Sequence, residues 1–125
     1  MGAEAAKYLW DALQAGERAQ RFALGMDYDA YCADEVRRSA IERQLEILGE
    51  ALLQLRKLDP ETAARVPELH RAVALRHVLI HGYANVDNNI VWGVVRQHLD
   101  PLLLALRNLH DSAGSAPNTP PAPPT

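Results

Sequence analysis

The stretch "IERQLEILGEALLQL", residues 41–55, decides the fold. Its large apolar residues recur at alternating steps of four and three, the spacing of a helix that presents one apolar stripe to neighbouring helices. The stripe consists of Ile41, Leu45, Leu48, Leu52 and Leu55. Charged and amide side chains occupy most positions between them, so this segment predicts an amphipathic helix of a bundle.

Three further stretches have helical periodicity. The first predicted helix runs from about Glu4 to Leu24, and the turn "GMDYD" at residues 25–29 separates it from the helix that contains the stripe. That second helix is expected to continue from the turn to about Leu58. A third helix is expected from Pro67 to about His81, and a fourth from about Asp87.

Short-range signals complete this plan. Asp59-Pro60-Glu61 combines a helix N-cap, a first-turn proline and a first-turn acid, which predicts a short extra helix. Pro101 is expected to kink the fourth helix or to restart it with Asp100 as its cap. The predicted fold is an all-α, antiparallel four-helix bundle with a domain at residues 1–111, and residues 112–125 form a proline-rich tail that we expect to be disordered.

Composition limits the function classes. The net charge of −3 over 125 residues argues against broad, unspecific binding to nucleic acid, so any phosphate binding must come from a few placed arginines. The single cysteine, Cys32, excludes an internal disulfide and a cysteine-based zinc site. The sequence contains neither a membrane-length apolar run nor a signal-like N-terminus, and we expect a cytoplasmic protein.

The most unusual segment is "RHVLIHGYANVDNNIVW", residues 76–92, which sets proton-handling groups among apolar ones. On an ideal helix Arg76 lies on the same stripe as Leu69, Val73 and Ile80. An arginine on an apolar stripe is costly to bury unless it meets an anion or several hydrogen-bond acceptors. Arg76 is therefore the most informative residue of the chain.

Three histidines, His70, His77 and His81, share a second stripe of the same helix. Imidazoles four residues apart could share a metal ion, but metal sites in helix bundles usually add carboxylates in Glu-x-x-His-like pairs, and no such carboxylate accompanies these histidines on their helix. Arg76 and His81 lie about 140° apart on an ideal helix. A left-handed helix end at Gly82 would let His81 and Tyr83 turn toward the guanidinium.

An arginine and a histidine suffice for one kind of chemistry without metal. Arginine offers a permanently charged, planar fork for a phosphate, and histidine moves protons near neutral pH. Together they fit the cleavage of RNA, in which the 2′-hydroxyl attacks the phosphorus, Arg76 neutralises the developing charge and His81 moves the proton. DNA lacks the attacking hydroxyl and is excluded as a substrate.

At this point the sequence resembles a known family. "RHVLIHGY", residues 76–83, is similar to the Arg-x4-His-x-Tyr motif of the HEPN superfamily in its HepT-like toxin branch. Leu48-Gly49-Glu50-Ala51 and "YANVDNNIVW", residues 83–92, match the same branch, and the resemblance extends from the first helix to about Leu109. It implies an all-helical, metal-independent ribonuclease toxin without a cofactor, from a type VII toxin–antitoxin module.

The resemblance also implies roles for single residues. Arg76 and His81 would be catalytic, and Tyr83 would be the hydroxyl to which a nucleotidyltransferase antitoxin transfers AMP. The branch usually has asparagine where this chain has His77, which would support the site or act as a second proton carrier. Glu50 could pair with Arg76 and hold its fork, or take a helix-packing role beside Gly49.

A homodimer with its active-site cleft at the interface is the assembly that the resemblance implies. We interpret Arg37, Arg38 and Arg43 as solvated surface charges, with the border of that cleft as the alternative. Two other functions remain open. One is a non-catalytic helical subunit of a minimal nucleotidyltransferase, binding its nucleotide or substrate. The other is a structural bundle in which Arg76 and His81 are core residues that satisfy each other.

Overall fold

The computed structural model describes residues 1–82 and 85–114, and within these ranges it consists of helices without strands. The predicted all-α class is confirmed. The helices are α1 (Ala3–Phe22), α2 (Tyr28–Ala33), α3 (Glu35–Leu58), α4 (Pro60–Ala63), α5 (Leu69–His81), α6 (Asn88–Gly93) and α7 (Leu99–Gly114), with a π-helical segment at Val94–His98 between α6 and α7.

Helix α3 is the centre of the bundle, because it packs against α1 on one side and α5 on the other, while α7 packs against α1. All five residues of the predicted apolar stripe on α3 are buried, with at most 2% of their surface exposed. A fully buried leucine contributes roughly 2 kcal/mol from its apolar surface. The stripe is therefore confirmed as the element that holds the bundle together.

Contacts along α1 show that its two neighbours run antiparallel to it. Trp10 packs on His110, whereas Gln20 at the other end of α1 bonds to Asp100. Helix α3 is likewise reversed, because Arg37 near its start bonds to the carbonyl oxygen of Phe22 at the end of α1.

The predicted second helix is interrupted, which corrects the expectation of one continuous element from the turn to Leu58. Asp34 has an extended backbone (φ −97°, ψ 90°), and its side chain accepts a hydrogen bond from the backbone N–H of Arg37. Asp27 caps α2 in the same way, through the N–H of Ala30. The aspartate caps compete with continuation of the helix and divide it into α2 and α3.

The short-range signals around the third helix had a mixed outcome. The predicted extra helix is confirmed, since Asp59 accepts from both the backbone N–H and the hydroxyl of Thr62 at the start of α4. Helix α5 begins at Leu69 rather than Pro67, because Glu68 before it has a left-handed backbone with φ of 54°.

The irregularity in the predicted fourth helix is not a simple kink at Pro101. Asp87 caps α6 through the N–H of Asn89, as predicted. The irregularity precedes Pro101: in the π-helical segment the N–H of Leu99 donates to the carbonyl of Val94, and α7 restarts at Leu99. Pro101 then lies in the first turn of α7, where its missing N–H is tolerated. Helix α7 continues to Gly114, past the boundary predicted at residue 111, and residues 115–125 of the expected tail lie outside the described residues.

The approach of α5 to α3 depends on Gly49. A β-carbon added at Gly49 would lie 2.4 Å from the β-carbon of Arg76 and 2.7 Å from the carbonyl oxygen of Ala72. Both atoms belong to the rigid part of α5, so a larger residue would force the helices apart. Gly49 is the contact point at which the two helices meet.

Gly49→Ala should lower the free energy of unfolding by about 1–3 kcal/mol, the cost of overpacking a close helix contact. Urea denaturation followed by circular dichroism measures this change. Gly93→Ala is the matched control, since a β-carbon there meets nothing within 4 Å. This control should be neutral or stabilising by up to about 1 kcal/mol, as alanine favours the helix. Equal stabilities of the two variants would contradict the close contact.

Candidate functional site

Arg76 lies on the face of α5 that packs against α3, and there it forms an ion pair with Glu50. Its Nε is 2.7 Å from Oε1 of Glu50, and only 23% of its side chain is exposed. The two atoms are buried and too poorly aligned for a directed hydrogen bond, so the contact is chiefly electrostatic. The pairing of Glu50 with Arg76 that we suggested from the sequence is present.

Glu50 is fixed from a second direction. Its Oε2 accepts a hydrogen bond of 2.8 Å from Nε2 of Gln54, one turn further along α3. The carboxylate therefore has one oxygen for Gln54 and one for Arg76. This arrangement restricts the orientation of the guanidinium, since its Nε edge faces Glu50.

Arg76 and Glu50 open into a groove of about 490 Å³ between α1, α3 and α5. The floor and walls carry both signs of charge, from Asp11, Arg18, Arg43, Glu46, Glu50 and Arg76. Each acid has a cationic partner: Asp11 pairs with Lys7, Glu46 with Arg43, and Glu50 with Arg76. Among the residues that the structure describes, Arg18 has no such acidic partner.

His77 and His81 lie on a different face of α5 from Arg76. Their rings pack with centroids 4.5 Å apart at an angle of 49°, and both residues are exposed. The predicted stripe is thus present, but His81 does not line the groove that holds Arg76. The structural hypothesis in which Arg76 and His81 satisfy each other in the core is wrong, because Arg76 pairs with Glu50 and His81 faces solvent.

The expected turn of His81 toward Arg76 does not occur within one chain. Helix α5 ends at His81 as predicted, and the N–H of Gly82 donates to the carbonyl of Val78. The prediction of a left-handed terminus is wrong, since Gly82 has φ of −113° and ψ of 25°. His81 therefore keeps its helical direction. Tyr83, the predicted AMP acceptor, lies outside the described residues.

The remaining predicted groups separate into three outcomes. His70 is exposed on α5. Arg37 and Arg38 are neither solvated charges nor a cleft border: Arg37 donates to the carbonyl oxygens of Phe22 and Leu24, and Arg38 to that of Cys32. They join α3 to the end of α1 and to α2. Arg43 is mostly exposed, as the solvated-charge interpretation predicted, and it also lines the groove of this chain.

Sequence reasoning missed the wall that α1 contributes. Tyr8, Trp10, Gln14 and Arg18 line the groove opposite Arg76. Tyr8, Asp11, Gln14 and Arg18 are spaced by three or four residues, which places polar groups along one face of the helix. Such a face is also typical of an ordinary solvent-exposed helix surface. The pattern alone therefore does not distinguish a groove wall from such a surface.

The described part of the chain lacks two features that are typical of metalloproteins and membrane proteins. No group of three or more histidine, cysteine, aspartate or glutamate side chains in residues 1–82 and 85–114 is arranged to hold a metal ion. None of the helices in those ranges combines the length and the apolar character needed to cross a bilayer.

Comparison with known protein families gives a match over most of this helical bundle. The family described as "Ribonuclease HepT-like" matches residues 12–109. The chain therefore belongs to the HepT-like ribonuclease family.

Curated relatives agree with this assignment. The "Probable ribonuclease HepT" of Thermococcus cleftensis is 31% identical over 99 residues, which cover 76% of this chain and 86% of the relative. The candidate RNase MJ1380 of Methanocaldococcus jannaschii is 31% identical over 90 residues, covering 72% of this chain and 82% of the relative. A candidate RNase of Caldanaerobacter subterraneus subsp. tengcongensis, TTE0752, is 33% identical over 95 residues, with 76% and 84% covered. No solved structure gives a significant match.

Proposed function

We propose that this protein is a metal-independent endoribonuclease of toxin type that cleaves RNA through attack of the 2′-hydroxyl, with Arg76 and His81 as catalytic residues. The observation that carries the proposal is the half-buried Arg76, held by Glu50 at the edge of an open groove. Membership of the HepT-like ribonuclease family supports RNA as the substrate.

Arg76 would bind the scissile phosphate. Glu50 occupies the Nε edge of the guanidinium, which leaves the two terminal nitrogens for the phosphate oxygens. Negative charge accumulates on the phosphate oxygens of the pentacoordinate phosphorane. The positive charge of the two nitrogens therefore stabilises the phosphorane more than it stabilises the ground state. Partial burial strengthens this interaction relative to one in water. Arg18 on the opposite wall supplies a second contact for the RNA backbone.

His81 would transfer protons. It is exposed and can exchange protons with solvent, and the ring of His77 packed against it restricts its rotation. As general base it takes the proton of the 2′-hydroxyl while the oxygen–phosphorus bond forms, and the bond to the 5′-oxygen breaks as that leaving oxygen takes up a proton from water. The products carry a 2′,3′-cyclic phosphate and a 5′-hydroxyl. His77 acts as a positioning residue in this scheme.

The separation of His81 from the Arg76 groove supports a homodimeric site. Two α5 helices facing each other across a two-fold axis would bring the imidazole of each copy toward the phosphate held by the other. Exposed apolar side chains flank the end of α5 and are suited to such a contact: Val78 is 46% exposed and Ile90 61% exposed. The cleft would then be shared between the two copies.

Regulation would act on Tyr83. We propose that a cognate nucleotidyltransferase antitoxin transfers AMP from ATP to its hydroxyl, so that the tyrosyl oxygen bonds to the α-phosphorus and pyrophosphate leaves. Tyr83 lies two residues beyond His81 in the sequence. The added phosphate would compete with RNA for the Arg76 guanidinium.

The alternative is a non-catalytic helical subunit of a minimal nucleotidyltransferase. The pairing of each acid in the groove with a cation favours it, since this leaves little net charge to attract RNA. The two functions differ in one observable, the cleavage of RNA by the purified protein.

Wild-type protein should cleave a labelled single-stranded RNA in EDTA and leave cyclic phosphate ends. His81→Ala and Arg76→Ala should each reduce kcat/KM by about 10²–10⁴, the usual contribution of a proton-transfer or charge-stabilising group. Glu50→Gln should have a smaller effect, because it keeps the shape and loses the charge that orients Arg76. His70→Ala is the matched control on the same helix and should retain full activity. Intact RNA with AMP-free wild type would favour the alternative subunit.

A mixing experiment tests the shared cleft. Arg76→Ala and His81→Ala proteins, each inactive alone, are combined, dissociated and allowed to reassociate. If the two groups act across the interface, half of the dimers are mixed and each has one complete site, so about a quarter of wild-type activity should return. No recovery, with exchange of subunits verified by mass spectrometry, would show that each chain holds its own site.

Co-expression with a cognate nucleotidyltransferase should add the mass of AMP to the peptide that contains Tyr83 and abolish RNA cleavage. Tyr83→Phe lacks the acceptor oxygen and should show no added mass and no silencing. Modification of Tyr28, the exposed tyrosine that serves as control, would contradict the assignment.

A further inference from the structure

We propose that Trp10 is the platform on which one base of the RNA stacks when a neighbouring phosphate is bound by Arg76. Both residues line the same groove, Trp10 from α1 and Arg76 from α5. The substrate is then RNA that is unpaired at this nucleotide, because a duplex hides the faces of its bases. This inference rests on the proposed function in requiring that RNA enters the groove, but it does not require that the RNA be cleaved.

Trp10 presents aromatic surface to the groove. Its ring packs against His110, with centroids 5.2 Å apart and an angle of 37°, and yet the residue is 46% exposed. The contact with His110 restricts the rotation of the indole and leaves the rest of its surface open. A large aromatic ring that is half in solvent lacks much of the stabilisation that burial gives, so a flat ligand that covers it gains binding free energy.

The groove is large enough for a nucleotide. Its volume of about 490 Å³ lies within the range of pockets that hold small organic ligands, roughly 300–1,000 Å³. It contains the indole of Trp10 and the guanidinium of Arg76 together. A base on Trp10 and a phosphate at Arg76 therefore belong to the same nucleotide or to adjacent ones.

The cations of the groove favour RNA over an apolar peptide as the occupant. Arg18 lies about 12 Å beyond Trp10 along α1, at 1.5 Å per residue. Within residues 1–82 and 85–114 no carboxylate pairs with Arg18. A stacking ring beside arginines that reach the backbone is the usual way in which proteins bind single-stranded nucleic acid. An apolar peptide would cover Trp10 but would offer Arg18 and Arg76 no anion.

Stacking on Trp10 also determines what kind of selectivity the groove gives. A ring contacts the face of a base and not its hydrogen-bonding edge, so every base is accepted and those with the larger surface bind more tightly. We therefore expect a modest preference for purines at one position next to the scissile bond. Loops and single-stranded ends of RNA should be bound, and duplexes should not.

Binding of an uncleavable probe to the full-length protein tests the stacking. The probe is 2′-O-methyl RNA of about eight nucleotides, which lacks the attacking hydroxyl. It should quench the emission of Trp10, while Trp92, buried against Tyr31, supplies a constant background. Trp10→Ala should weaken binding about 5- to 100-fold, the contribution of one stacked base, and Trp10→Phe should retain most of the affinity because a ring remains.

Tyr28→Ala is the matched control, since Tyr28 is an exposed aromatic residue that does not line the groove. This variant should bind the probe as tightly as wild type. Equal affinities of wild type and Trp10→Ala, in proteins with equal melting temperatures, would overturn the proposal.

A scan of the probe with abasic nucleotides tests the same contact without any change to the protein. Removing the stacked base should lower the affinity of wild type and abolish the quenching, and it should have little effect on Trp10→Ala. If no abasic position changes the quenching, the base does not stack on Trp10 and the proposal fails.

Cleavage of unmodified RNA separates this proposal from the proposed function. If both hold, Trp10→Ala should raise KM about 5- to 100-fold and change kcat by less than about twofold, because the stack is the same in the ground state and the transition state. Quenching and Trp10-dependent binding without cleavage would support the stacking platform and reject the nuclease. Cleavage with an unchanged KM in Trp10→Ala, and no quenching, would support the nuclease and reject the platform.

A protein contact is the remaining use of an exposed tryptophan. If the probe leaves Trp10 emission unchanged, and a cognate nucleotidyltransferase binds wild type but not Trp10→Ala, the ring belongs to a protein interface. That result would overturn the assignment of Trp10 to RNA.

Discussion

The contact between α3 and α5 at Gly49 is the constraint on which the site depends. With no side chain at Gly49, the backbone of α5 approaches closely enough for Arg76 to lie against α3. The next residue of α3, Glu50, then meets the guanidinium at 2.7 Å. One small residue thus sets the helix separation and permits the ion pair. A half-buried arginine is tolerated in this bundle because a carboxylate reaches it from the facing helix.

Sequence periodicity predicted the parts of the fold that depend on local rules. The apolar stripe from Ile41 to Leu55, the cap at Asp59 and the cap at Asp87 all follow from side-chain spacing or from hydrogen bonds within a few residues. The break at Asp34 also follows from a local aspartate cap, but it was not predicted from the sequence. A six-residue helix such as α2 is too short to show a helical repeat of apolar residues. The π-helical segment before Pro101 has no sequence signature that we could read.

The candidate site was only partly predictable, for a physical reason. An arginine on an apolar stripe requires an anion, and this requirement alone indicated that Arg76 would be paired. The wall formed by Trp10, Gln14 and Arg18 depends on how α1 packs across α3, which is a long-range property of the assembled bundle. The direction of His81 depended on the backbone of Gly82, and glycine allows both the left-handed conformation and the one observed.

The charge distribution of the groove also limits how the protein can bind RNA. Because Arg43 and Arg76 are each paired with a glutamate, much of their positive charge is already compensated before a phosphate approaches. Long-range attraction is therefore weak, in keeping with a chain of net charge −3, and binding must rely on a few short-range contacts. A site that relies on so few contacts loses much of its affinity when any one of them is removed.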